Sequence, residues 1–130
     1  MAVVGPVGSG KSTLLATLLG ETTLVEGAVR RRGKVAVVEQ EPCVLAISLK
    51  DNILFGLPED PERLATVIQV CQLEPDLILF PMGIDTLVGE GGLNISGGQR
   101  ARLSLARACY ADADTYLLDD PLSAVDSKVA

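Results

Sequence analysis

A chain of 130 residues is long enough for one domain with a packed core and too short for two. Some 48% of its residues are apolar, yet only two Tyr and two Phe are aromatic, which favours a Leu/Val/Ala core of helices and parallel strands over an aromatic-rich sandwich. The net charge of −6, with no basic run beyond Arg30-Arg31-Arg32, argues against a nucleic-acid partner, and no apolar run approaches the ~20 residues of a bilayer span.

In chain order, the apolar run 1–4 reads as a strand, followed by a glycine-rich turn and a helix. Leu14, Leu15, Leu18 and Leu19 repeat at one-turn spacing, and Gly20 is placed to end that helix. A second β-rich run covers residues 35–38. From Pro42 to about Asn94 the pattern turns mainly helical. Asp60-Pro61-Glu62 predicts a helix start, with an N-cap, a proline at the first helical position and an acid in the first turn. Leu64, Val67, Ile68 and Cys71 then mark one buried face. A further helix is predicted from about Ser96 to Ala111, and a buried strand at 115–118 ends on Asp119 and Asp120. Cys43, Cys71 and Cys109 have no paired spacing, which points to small buried residues in a reducing compartment rather than a disulfide framework or zinc site.

Gly5-Pro6-Val7-Gly8-Ser9-Gly10-Lys11-Ser12 matches G-x-x-x-x-G-K-[ST] at every fixed position, before a helix. Small residues let the backbone wrap a phosphate, so that N–H groups from Gly5, Gly8, Ser9, Gly10 and on to Thr13 can point inward. The helix N-terminus adds its positive dipole end. Lys11 is expected to reach the β- and γ-phosphates of ATP, and Ser12 to ligate Mg²⁺.

Ser96-Gly97-Gly98-Gln99 contains an S-x-x-Q capping box, which alone needs no ligand. Two glycines in the first turn, however, each cost about 1 kcal/mol against Ala, and make sense where something approaches the backbone closely. Arg100, Arg102 and Arg107 read as a solvated helix face. Asp119 and Asp120, adjacent carboxylates at a strand end, are costly unless they bind a cation, and Asp119 is expected to hold Mg²⁺.

The stretch Ile95-Ser96-Gly97-Gly98-Gln99 resembles the L-S-G-G-Q signature of the ABC (ATP-binding cassette) ATPases, with Ile in place of the leading Leu. The wider run from Val88 to Ala108 resembles subfamily C, which contains the multidrug-resistance-associated transporters, and is most similar to the first of their two nucleotide-binding domains. The likeness covers essentially the whole chain. It implies a Q-loop role for Gln40, reaching Mg²⁺ and the attacking water; a Walker B role for the strand ending at Asp119; and a D-loop around Asp126. Catalysis would rest on Gln40 and on Asp120, which stands where the family normally has Glu, so the resemblance implies a site that binds ATP and hydrolyses it slowly.

The fold implied is α/β: a P-loop NTPase core, with a mostly parallel sheet flanked by helices, over approximately 1–41 and 112–130. An inserted α-helical subdomain, carrying the signature, would occupy approximately 42–111. The C-terminal part of the core is expected to lie outside this chain, as are an adenine-stacking aromatic and a γ-phosphate histidine, and Cys43 sits where subfamily C usually has Trp. On that expectation the 130 residues alone would be unstable. In the family, ATP lies between two such domains, so Ser96, Gly97, Gly98 and Gln99 would serve a nucleotide bound by a second nucleotide-binding domain. The partners implied are that second domain and transmembrane domains of the same transporter, at the cytoplasmic face of a membrane. Two other readings stay open: a degenerate regulatory ATP-binding module, and a soluble ABC ATPase.

Overall fold

The computed structural model describes residues 1–89 and 94–121. It divides into two compact units, Met1–Gly33 and Lys34–Ala130.

The first unit contains one helix, α1 (Lys11–Leu19). It ends as the sequence predicts. Gly20 adopts φ 84°, a left-handed C-cap for which glycine carries no Cβ penalty, and its N–H reaches back to Thr17 O. The preceding run 1–4 is not a strand. Its side chains are exposed, and it has no place in the ladder of the one sheet among the described residues. A short apolar run becomes a strand only when a neighbour supplies its backbone hydrogen bonds, and none is paired with it here.

The second unit opens with β1 (Val35–Val38), continues through α2 (Leu49–Leu54), α3 (Pro61–Val70), α4 (Glu74–Leu79), a 3₁₀ turn at Gly83–Asp85 and α5 (Gly97–Tyr110), and closes its sheet with β2 (Thr115–Leu118). β1 and β2 pair in parallel, in the register Val35↔Thr115 to Val38↔Leu118. Local chemistry explains where these helices start. The Ser48 hydroxyl accepts from Asp51 N, and the Asp60 carboxylate accepts from Glu62 N and Arg63 N just before Pro61.

α5 organises the packing of this unit. Leu103, Ala106 and Tyr110 enter a cluster with Leu49, Ile53, Leu64, Val67 and Cys71, so the predicted α3 face is the buried one. Ala108 instead packs on Ala36 and Val38 of β1. The expected burial of β2 does not hold: Thr115, Tyr116 and Leu118 are exposed. A parallel strand becomes fully buried when helices cover both faces of its sheet, and here the α5 cover falls on β1.

Tyr110 ties α5 to the start of α3. Its ring is 1% exposed, its hydroxyl donates to Pro58 O (2.7 Å), and it accepts from Asp60 N (2.8 Å). Tyr110→Phe is expected to cost about 1 kcal/mol, the net worth of the lost hydroxyl bonds, because Pro58 and Asp60 are exposed and their backbone groups can turn to water. Urea unfolding of a fragment that unfolds cooperatively checks this; a change inside about 0.5 kcal/mol would mean the hydroxyl contributes nothing.

Candidate functional site

The phosphate-loop match forms a closed turn leading into α1. Gly8 (φ 80°) and Gly10 (φ 87°) both lie in the left-handed region, and Ser9 N donates to Pro6 O (3.2 Å) across the turn. A Cβ at Gly5 would stand 2.7 Å from Ser9 Oγ, so a side chain there would have to displace the Ser9 hydroxyl. Lys11 Nζ donates to Gly5 O and Pro6 O, both at 2.9 Å, so the ammonium spans the loop with a third hydrogen still available. Gly10 is the N-cap and offers no side chain to the first turn. The leading N–H groups of α1, at Lys11, Ser12 and Thr13, therefore have no capping side chain to satisfy them. Ser12 and Thr13 are exposed. Uncapped amides, a cation and a glycine cradle fit a phosphate chain.

In the second unit the two strands end side by side. The ladder continues one step past the sheet, with Asp119 N donating to Val38 O at 2.9 Å. Gln40 and the Asp119–Asp120 pair thus leave from the same carboxyl edge, where parallel sheets place their ligands. Gln40 is exposed and Asp119 half-buried. Asp120 is exposed with φ 47°, a left-handed backbone that Asp tolerates better than most residues. The carboxylate and amide types at this edge suit an oxygen-seeking cation such as Mg²⁺. Asp126 lies outside the described residues.

The start of α5 forms the predicted capping box. Ser96 Oγ accepts from Gln99 N (3.2 Å), and Gln99 Oε1 accepts from Ser96 N (2.8 Å). Ser96 is exposed at the helix entrance, and a side chain added at Gly97 would meet open space. Gly98 follows in the same first turn.

The arginines that follow are not a solvated face. Arg102 forks onto Asp76 of α4, with Nε donating to Oδ2 at 2.9 Å and Nη2 to Oδ1 at 3.0 Å; the side chains are 16% and 11% exposed. Arg107 donates to Asn52 O, Asn52 Oδ1 and Cys43 O, and lies 4.4 Å over the Phe55 ring. Burial pushes its pKa below the ordinary guanidinium value. Arg100 Nε is buried with no hydrogen-bond partner among the described residues. Arg102 and Arg107 point sideways from α5 onto α4 and α2, a direction helical spacing alone does not reveal.

A family model described as ABC transporter matches residues 1–123. The chain belongs to the ABC transporter family. It is 54% identical over 130 residues to ATP-binding cassette sub-family C member 3 of Rattus norvegicus, covering 100% of this chain and 8% of that protein. It is 52% identical over 127 residues to ABC transporter C family member 3 of Dictyostelium discoideum (98% of this chain, 9% of that one). With multidrug resistance protein mrp-7 of Caenorhabditis elegans it shares 53% identity over 129 residues (99% and 8%). The chain thus spans less than a tenth of the length of these relatives, and its homology is to subfamily C, as its own residues imply.

Two features of this ABC domain were not visible in its sequence. The first is Asp76, buried beneath the signature and bonded to both Gln99 and Arg102. Its signal, an acid in a helical first turn, is the same as that of Glu74 two residues earlier. The second is a thiol pair. Cys71 and Cys109, 38 residues apart, bring their sulfurs to 4.0 Å where α3 meets α5. The hydrogen bond that Cys71 donates lowers the Cys109 pKa to about 7; the same bond and then burial push Cys71 up. Cys43, expected to be buried with them, is exposed. No helix among the described residues is long and apolar enough to cross a membrane.

Proposed function

We propose that this ABC domain binds MgATP at the loop 5–12 and takes part in ATP hydrolysis that drives solute export, as a nucleotide-binding domain of a subfamily C transporter. The observation that carries this reading is the loop itself: left-handed Gly8 and Gly10, a Lys11 ammonium that spans the loop, and the uncapped amides of Lys11, Ser12 and Thr13 at the start of the helix. Those amides hold the phosphates, with Gly5, Gly8, Ser9 and Gly10 shaping the cradle. Lys11 exchanges its carbonyl partners for β- and γ-phosphate oxygens. Ser12, Asp119 and Gln40 are the residues that would hold Mg²⁺, which would offset negative charge on the phosphates.

Gln40 and Asp120 orient and polarise the attacking water, and Asp120 does so slowly because its carboxylate falls short. Residues 1–41 and 112–130 form the α/β core, with 42–111 as a helical subdomain; the chain of helices between β1 and β2 supports that division. Ser96, Gly97, Gly98 and Gln99 face a nucleotide held by a second nucleotide-binding domain, head to tail, and Asp126 belongs to the D-loop. Transmembrane domains of the same transporter would anchor the assembly at the cytoplasmic face of a membrane. The likeness to membrane transporters of subfamily C supports these partners.

Lys11→Met in the parent transporter tests the reading. Removing a charged donor from a phosphate is expected to weaken ATP binding at this loop by roughly 10–100-fold, equivalent to about 1.5–3 kcal/mol. The measurement is photolabelling by an azido-ATP at increasing nucleotide concentration. Unaltered labelling of this domain would reject the loop as the nucleotide site.

A further inference from the structure

We propose that Asp76 is a positioning residue for the signature: it fixes the orientation of the Gln99 amide, and through it the Ser96 cap at the entrance of α5. This rests on the reading that Ser96 and its glycines serve a partner's nucleotide. The side chain of Gln99 makes two bonds of opposite polarity. Its Oε1 accepts from Ser96 N (2.8 Å), and its Nε2 donates to Asp76 Oδ1 (3.1 Å). An amide rotated by 180° would present its NH₂ to the Ser96 N–H and its oxygen to the carboxylate, replacing two attractions with two repulsions. Asp76 therefore selects one of two otherwise similar rotamers.

An ionised carboxylate suits this position because it only accepts. Oδ1 serves Gln99 Nε2 and Arg102 Nη2 together, while Oδ2 takes Arg102 Nε at 2.9 Å. Asn at 76 has one accepting atom for three donors, so either the fork or the amide bond is lost. Arg102 is the stronger and fixed claimant, its planar guanidinium set one turn along the same helix. The bond to Gln99 is the one that gives way. Ser96 Oγ accepts from Gln99 N at 3.2 Å, the longer bond of the box, so the cap relies on the side-chain half that Asp76 orients. Among the described residues, the cavity that Asp76 and Gln99 share is otherwise lined by apolar side chains, including Leu49, Ile53, Leu77, Phe80 and Leu103.

The test uses the full-length parent transporter with Asp76→Asn, Gln99→Ala, the double variant and Ser96→Ala. ATP turnover and azido-ATP labelling at the loop 5–12 are read in each. The expected result for Asp76→Asn is a kcat about tenfold lower, the scale of a slightly misplaced reacting group, with nucleotide labelling unchanged. Because Asp76 acts through Gln99, adding Asp76→Asn to Gln99→Ala lowers kcat no further. A kcat unchanged by Asp76→Asn overturns the proposal, as does an equal drop in both backgrounds, which a purely structural role would produce. If Asp76→Asn does not fold, Asp76→Leu/Arg102→Leu takes its place, with and without Gln99→Ala: a kcat loss seen with Gln99 present and not added to that of Gln99→Ala supports the relay, and normal turnover ends it. Normal turnover in Ser96→Ala removes the underlying reading of the signature; a loss there with none in Asp76→Asn removes only the role of Asp76.

Discussion

Arg102→Leu is expected to cost about 3–5 kcal/mol of folding stability. The reason is what it leaves behind. The Asp76 side chain is 11% exposed, and of the two side chains that hydrogen-bond it, Arg102 and Gln99, only Gln99 would remain. Desolvation of a lone carboxylate then has little to offset it. The pair itself is worth much less than this loss, since removing both charges also removes the desolvation cost. The double variant Asp76→Leu/Arg102→Leu is therefore expected to be clearly more stable than Arg102→Leu alone. Urea unfolding of a cooperatively unfolding fragment at constant m-value compares them. Equal midpoints for single and double variants would mean that the carboxylate reaches solvent once its partner is gone.

Asp120→Glu is expected to raise ATP turnover at this site by about 10²-fold. The two side chains differ by one methylene, which places the carboxylate about 1.5 Å further out, and a misplacement on that scale has about this cost. Asp120 follows β2 at φ 47°, so its backbone is already held in a left-handed turn, and a longer side chain must bridge from a fixed base. Glu tolerates that backbone less well than Asp, so a small loss of stability accompanies the gain. Single-turnover hydrolysis in the parent transporter, with the partner site disabled, is the measurement. A rate unchanged within twofold would overturn the proposal that Asp120 slows this site.

Features set by neighbouring residues could be read from the sequence. Asp60, Pro61 and Glu62 fix the start of α3 within four residues, and Ser96 with Gln99 fixes that of α5. Gly8, Gly10 and Gly20 adopt the left-handed backbone their positions demand. The ordered motifs identified the family before any geometry. What escaped depends on contacts distant in the chain. The run 1–4 has strand composition, but pairing is a property of two segments. Arg102 and Arg107 look like solvent charges until α2 and α4 close over them. Cys71 and Cys109 share no spacing rule, because the α3–α5 crossing alone brings them together. In the candidate site, the loop and the cap were legible; the carboxylate beneath the cap was not.

The 14 residues of α5 make a rod about 21 Å long, with Ser96 at one tip and Ala108 seated on β1 near the other. Such a rod acts as a lever. A tilt of about 10° around its seat on the sheet would carry the Ser96 tip about 3 Å, further than a hydrogen bond can stretch. The position of the Ser96 tip thus depends on packing along the whole rod, against α2 and α3 at Leu103, Ala106 and Tyr110 and, some 18 Å away, against the sheet through the small side chains Ala36 and Ala108. Enlarging either one would misdirect the tip without touching it.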